Sequence, residues 1–273
     1  MTTTTSAKPF KRILLTGAGG GLGTILRERA KAWADIVRLN DVKDLGPARE
    51  GEEIVIGDLG DRDKVMAMME GVDAVLHFGG ISVEDKFEPI MNANILGLHH
   101  LYEAVQKHGV KRVVYASSSH VVGFYETTEL VDAKMPLRPD GFYGVSKAFG
   151  EALSRYYYDR FGTETVCLRI GSSFPEPKDR RMMVTWLSYD DLVEALRRSL
   201  FATRVGFSVL FGMSNNDVAW WDNSKASHLG YKPKDSSSQF DGLFPDSGEY
   251  PDQNASVTYH GGAFALAEVR YKD

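Results

Sequence analysis

Arg12-Ile13-Leu14-Leu15-Thr16-Gly17-Ala18-Gly19-Gly20-Gly21-Leu22-Gly23 decides the fold. A short, nearly continuous apolar run gives way to a turn with glycines at 17, 20 and 23, and a helical pattern follows to about Ala34. Continuous apolar runs suit strands buried on both faces, so the implied order is parallel strand, glycine turn, helix. The missing side chains allow a tight turn, close approach of a pyrophosphate and close packing of helix on strand. The helix would offer phosphates its first amides and the positive end of its dipole.

Ile36-Val37-Arg38-Leu39-Asn40 reads as the second strand, and Asp41 stands just past its C-terminal end. A carboxylate there can accept from both adenosine ribose hydroxyls and repels a 2′-phosphate, which favours NAD over NADP. Arg38 and Lys43 are near enough in sequence to oppose that preference. Further strands are expected at 53–57, 74–80, 111–116 and 163–170, with helices at 61–69, 87–107 and 143–161. Asp61 is the expected N-cap of the first of these helices. Six strands alternating with helices imply an α/β fold, a doubly wound parallel sheet of Rossmann type. Asp58-Leu59 ends the third strand, where Asp58 either holds an adenine amino group or caps the following turn. Phe78-Gly79-Gly80 would lie along the cofactor, while His77, inside an apolar strand, is expected to be a hydrogen-bonded core residue. Asn94 falls in the apolar stripe of the 87–107 helix, so its amide either satisfies neighbouring backbone or joins an active-site network.

The 273 residues suffice for one large domain or a domain with a small lobe, and a net charge of -5 argues against a nucleic-acid surface. The partner expected is a small molecule. Cys167 is the single cysteine, which excludes an intrachain disulfide, and it sits in an apolar run as a core thiol. No set of zinc ligands stands out, so no metal is expected. Residues 1–9 lack an apolar signal core and are expected to be a disordered tail. No apolar run reaches the ~20 residues of a membrane span, so a cytoplasmic protein without membrane contact is expected.

The fifth strand delivers Ser117-Ser118-Ser119-His120 to the sheet's C-terminal edge, where ligands bind. Downstream, Tyr143-Gly144-Val145-Ser146-Lys147 opens a helix. Residues four apart share a helix face, so a phenol and an ammonium can approach the same point. A cation beside a phenol favours the phenolate, which would let Tyr143 act as a base.

In this sequence order, the glycine turn, the strand-end Ser118 and the Tyr143/Lys147 pair resemble the extended short-chain dehydrogenase/reductase family, over roughly residues 11–170. Counting back from Gly123 places that family's catalytic serine at Ser118. Asn94 matches a helix asparagine that reaches the lysine through water in many members. The resemblance implies catalysis by Tyr143, Lys147 and Ser118. It also implies an NAD site drawn from Gly17, Gly20, Gly21, Leu22, Gly23, Asp41, Asp58, Leu59, Phe78, Gly79, Gly80, Asn94, Tyr143, Lys147 and Ile170.

Nucleotide-sugar epimerases and dehydratases of that family usually read Arg-x-x-Asn-x-Tyr-Gly-Pro after the sixth strand; here Arg169-Ile170-Gly171-Ser172-Ser173-Phe174-Pro175 departs from it. About a hundred residues follow, a small lobe with little room for a nucleotide diphosphate. Gly79-Gly80-Ile81-Ser82-Val83-Glu84, Ser117-Ser118-Ser119-His120, Pro175-Glu176-Pro177 and Trp220-Trp221-Asp222-Asn223 resemble members that oxidise a free hexuronic acid, glucuronate or galacturonate, at the anomeric carbon to an aldarolactone. That resemblance implies substrate contacts from Ser82, Ser118, Ser119, His120, Ser172 and Arg181, with Ser119 standing where those members carry Asn. A guanidinium suits a uronate carboxylate, and Arg181 is chosen over Arg180 and Lys178 in the irregular 171–183 loop. The expected organisation is an NAD-binding domain at 10–170 with a substrate-binding region at 171–273 packed on it as one unit. A helix at 189–201, a short strand at 207–210 and an irregular stretch at 232–254 complete the chain. An epimerase holding NAD tightly and a non-catalytic dinucleotide sensor are the alternatives. A homo-oligomer is expected, with the helices from Phe87 and Tyr143 as either contact faces or sheet covers.

Overall fold

The computed structural model describes residues 8–244 and 258–266. Residues 1–7 of the expected disordered tail lie outside the described residues, as do 245–254 of the expected irregular stretch. The strands are β1 (Phe10–Thr16), β2 (Ala34–Asp41), β3 (Glu52–Ile56), β4 (Ala74–His77), β5 (Arg112–Ser118), β6 (Val131–Asp132), β7 (Glu164–Ile170), β8 (Phe207–Gly212) and β9 (Trp221–Asp222). Seven of them form one sheet in the order β3-β2-β1-β4-β5-β7-β8, every neighbouring pair parallel. The order reverses between β1 and β4, and in open α/β sheets ligands bind in the crevice at that reversal.

The helices are α1 (Gly21–Arg29), α2 (Arg62–Met68), α3 (Phe87–Ile90), α4 (Gly97–Lys107), α5 (Phe142–Phe161), α6 (Arg180–Thr185) and α7 (Tyr189–Phe201). One face of the sheet is covered by Leu26 and Ala30, from α1 and the turn after it, and by Leu192, Leu196 and Leu200 of α7. The other face meets Val65 and Met68 of α2, Leu98, Leu101, Tyr102 and Val105 of α4, and Tyr157 of α5. Burial on both faces explains why the strands read as apolar runs rather than alternating ones. Cys167 is fully buried in the second of these cores, which pushes its thiol pKa up and leaves it a packing residue. No helix among the described residues is long and apolar enough to cross a membrane.

Two elements differ from the sequence expectation. The sheet gains a seventh strand because β8 pairs with β7 from Thr165↔Phe207 to Ile170↔Gly212, which covers an edge that β7 would otherwise expose. The expected 87–107 helix is not uniform: α3 and α4 are joined by a π-helical stretch, Met91–Leu96. Single π turns inside α-helices often mark functional positions, and this one contains the buried Asn94. Asp61 caps α2 as expected, its side chain accepting from the Lys64 amide at 3.2 Å. Beyond β5, the two-residue strands β6 and β9 pair in parallel. A third cluster, Val121, Val122, Val131, Val184, Phe211, Trp220 and Trp221 among it, anchors the later chain to the sheet's C-terminal edge.

Candidate active site

The β1–α1 turn is built for close approach. Gly17 has φ +72, and a Cβ there would lie 2.5 Å from the Phe78 carbonyl oxygen; a Cβ at Gly23 would lie 2.0 Å from the Gly17 oxygen. A Cβ at Gly21 would meet nothing within 4 Å, so the open side of the turn is there. The N-cap of α1, Gly20, makes no side-chain bond and the first turn carries no acid, so no side chain there competes with an anion for its first amides. Asp41, the last residue of β2, accepts from the Gly19 amide at 2.8 Å and from the Lys43 amide at 3.0 Å, which holds its carboxylate beside the turn. Arg38 is turned away: its guanidinium binds Glu53 at 2.6 Å and the carbonyls of Met68 and Glu70. Of the two cations that opposed the NAD preference, Arg38 is thus committed elsewhere, while Lys43 stays beside Asp41. Asp58 takes the turn-capping role, accepting from the Gly60 amide at 2.8 Å, while its carboxylate stays exposed. Gly79 closes the crevice floor, its amide donating to Thr16 Oγ1 at 3.0 Å. The cradle of bare backbone, uncapped helix end and strand-end carboxylate fits a dinucleotide whose Leu22, Leu59, Phe78 and Gly80 neighbours are apolar or small.

Tyr143 lies in the first turn of α5 and is buried. Ser118, the last residue of β5, stands close enough to the Tyr143 hydroxyl to lower its pKa. Lys147, one turn on, donates from Nζ to the Ala116 carbonyl at 2.8 Å and lies 5.6 Å from the Tyr143 ring centre and 5.1 Å from that of Tyr115. Burial pushes Tyr143 up to about 12, against Ser118, which lowers it, and with the Asp140 charge, which adds to the rise. Burial alone brings Lys147 down to about 8. Lys147 thus lies one turn behind the phenol, and burial keeps that phenol protonated. Glu151, a further turn along α5, binds Arg169 of β7 at 2.9 and 2.8 Å and accepts from Ser117 at 2.7 Å, which fixes the helix across both strands. Ile170, opposite Ser118 in the β5–β7 register, ends β7 at the same edge.

Asn94 satisfies neighbouring backbone and also reaches the helix of the Tyr143/Lys147 pair. Its amide nitrogen donates to the Ile81 carbonyl and to Ser146 Oγ, both at 2.9 Å, and its oxygen accepts from the Ile81 amide at 2.8 Å. His77 is the expected core histidine, bonded to Thr16 Oγ1 at 2.8 Å, with its pKa lowered to about 3 by burial and then by Lys147.

On the substrate side, His120 Nδ1 meets Asp140 at 2.7 Å, and its ring centre lies 5.7 Å from that of Tyr143. Sequence reading missed Asp140, whose charge acts on both Tyr143 and Arg181. Arg181 is on α6 rather than in an irregular loop. The signal was legible, since Asp179 caps that helix by accepting from the Met182 amide at 2.7 Å. The half-buried Arg181 guanidinium donates from Nε to the His260 carbonyl at 2.7 Å, and Nη2 reaches the same oxygen. His260 is fully buried, stacked on Trp220 at 4.9 Å and bonded by Trp221 Nε1 at 3.3 Å, which gives the Trp220-Trp221 pair a role in holding this segment. Phe264, also missed, lies 3.9 Å from the His120 ring centre and 6.3 Å from that of Tyr143. Ser172 Oγ is bonded to Thr185 Oγ1 at 2.9 Å, Ser119 is buried in the turn after β5, and Ser82 is exposed in the loop after β4. Nothing in sequence spacing marks the partners of His120 or Arg181, because the contacts span 20 and 79 residues.

Residues 13–200 match the NAD dependent epimerase/dehydratase family. The chain is 51% identical over 268 residues to the uronate dehydrogenase of Pseudomonas putida, covering 98% of each. It superposes on the crystal structure of uronate dehydrogenase from Agrobacterium tumefaciens with TM-score 0.93 and 47% identity, over 97% of this chain and 100% of that one. A mutant of the Agrobacterium tumefaciens enzyme complexed with NAD gives TM-score 0.93 at 46% identity, over 96% and 100% of the two chains.

Proposed function

This chain belongs to the NAD dependent epimerase/dehydratase family, and on that premise we propose that it is an NAD-dependent uronate dehydrogenase. Its substrate is a free hexuronic acid, glucuronate or galacturonate in cyclic form, and its product the aldarolactone. The near-full-length identity to uronate dehydrogenases supports the substrate class. The single observation that carries the chemistry is the buried Tyr143 beside the strand-end Ser118, with Lys147 one turn behind it.

Bound NAD+ supplies the hydride acceptor and a positive charge at the site. The chain's own residues do the rest. Ser118 holds the anomeric oxygen in line with Tyr143, and Tyr143 takes the proton of the anomeric hydroxyl as the C1–H bond is given up as hydride. The hemiacetal carbon becomes a lactone carbonyl. Lys147 keeps a charge near the phenol that offsets part of its burial, and Asp41 holds the adenosine ribose. Arg181 meets the uronate carboxylate, which must compete with the His260 carbonyl for Nε and Nη2. Ser82, Ser119, His120 and Ser172 complete the sugar site, and Asp140 fixes His120 with Nδ1 toward itself. The same reading has a cytoplasmic homo-oligomer in contact through exposed Phe87, Met91 and Val145 on the faces of α3, the π stretch and α5.

C1-deuterated glucuronate tests the assignment of the reacting carbon. Deuterium should appear in the NADH formed, with a slowed turnover, and NADH free of deuterium would refute oxidation at C1.

A further inference from the structure

Helix α5 starts with Phe142-Tyr143, so the proposed base sits where helices fray, and its N-cap is Gly141, which has no side chain to satisfy the first amides. A residue from another element supplies the cap. Glu84 Oε1 accepts from the Phe142 amide and Oε2 from the Tyr143 amide, both at 2.9 Å, across 58 and 59 residues of sequence. From this contact we propose that Glu84 is a positioning residue of the reaction: its carboxylate fixes the first turn of α5, and with it the Tyr143 phenol, to the loop that carries Ser82. The proposal rests on the reading of Tyr143 as the base.

Two further observations support it. Gly141 has φ -178, extended backbone that any residue adopts, so its glycine is not required by conformation. A Cβ there would lie 2.4 Å from Glu84 Oε2, so the glycine is required by the carboxylate's approach. The same loop is also docked one turn further along α5. Asn94 grips both backbone groups of Ile81 and donates to Ser146 Oγ, and Ser146 Oγ donates to the Tyr143 carbonyl at 2.7 Å. The backbone of Tyr143 is thus held by its amide through Glu84 and by its carbonyl through Ser146. Charge-assisted bonds to a helix's first amides are among the stronger ones, and the negative charge is also attracted by the positive N-terminal end of the helix dipole. The remainder of α5 is anchored independently, through Glu151 to Ser117, Ser154 to the Tyr102 hydroxyl, and Tyr157 in the core.

The test compares Glu84→Ala, Glu84→Gln and Gly141→Ala with the parent and with Tyr143→Phe. It measures kcat and KM for glucuronate, Kd for NAD and thermal midpoint. Displacing a reacting group by about an ångström costs up to ~100-fold, so Glu84→Ala should lower kcat by roughly 10- to 100-fold with Kd for NAD unchanged. Glu84→Gln should fall between, since one amide oxygen replaces two carboxylate oxygens. Gly141→Ala should reproduce the Glu84→Ala loss with the carboxylate still present. Wild-type kcat in Glu84→Ala, or a loss that tracks lost NAD affinity or lost folded protein, would overturn the proposal. If Tyr143→Phe is dead while Glu84→Ala is fully active, the Glu84 assignment alone fails. If Tyr143→Phe turns over normally, the base assignment fails and this proposal with it.

Discussion

Lys147→Met probes how the site makes a phenol reactive at neutral pH. Tyr143 is pushed up to about 12 by burial, and the Lys147 ammonium lies 5.6 Å from its ring centre. At that separation, and an effective dielectric of about 20, removing the charge costs the phenolate about 3 kcal/mol, which corresponds to about two pH units. Methionine fills similar volume without the charge, so the loss falls on ionisation more than on packing. The acid limb of log(kcat/KM) against pH should move up by about two units, and activity near pH 7 should fall by about 100-fold. Lys147 itself has its pKa lowered to about 8, so its charge is present below that pH and lost above it. The deficit of the variant should therefore be largest below pH 8 and shrink above it. The assay is initial NADH formation from about pH 6 to about pH 10 at saturating NAD+. A variant slower by one constant factor across that range would refute the electrostatic account.

Three other outcomes follow from the geometry. Arg181→Ala should raise KM for uronates by roughly 10- to 100-fold, the worth of one charge-assisted bond, with little change for neutral sugars; equal losses on both would remove its role. Asp41→Ala should raise KM for NAD by about tenfold and bring NADP closer to NAD, because a repelling carboxylate is gone; an unchanged NAD to NADP ratio would count against the strand-end acid. Buried His77 and His260 have pKa values lowered to about 3 and about 4, both by burial first, so they stay neutral in the fold while an unfolded chain protonates near its ordinary value. Each should cost stability as pH falls below about 6.5, by up to about 1.4 kcal/mol per pH unit, a decline that denaturant titration at pH 7, 6 and 5 would reveal or exclude.

The parts legible in the sequence are those encoded by spacing along one element. The apolar runs ending in Gly17, Asp41 and Ser118 fixed strand type and edge, because strands buried on both faces cannot alternate. The Tyr143/Lys147 pair was legible because four residues make one helical turn. What spacing does not encode is which distant group completes a contact. Asp140 against His120, Glu84 against the α5 amides and the His260 carbonyl against Arg181 join segments 20 to 79 residues apart. The π stretch around Asn94 escaped for a related reason, since an apolar stripe keeps nearly the same period when one turn widens. Strand β8 was read as a strand, but its place beside β7 depends on α7 returning across the sheet.

The most direct test of the central claim is NADH absorbance after mixing the purified chain with NAD+ and, separately, free glucuronate, free galacturonate, neutral hexoses and a nucleotide-linked uronate. Sustained stoichiometric NADH from the free uronates, with Tyr143→Phe inactive under the same conditions, is the predicted result. NADH from the nucleotide-linked sugar alone, or sugar conversion without net NADH, would contradict it.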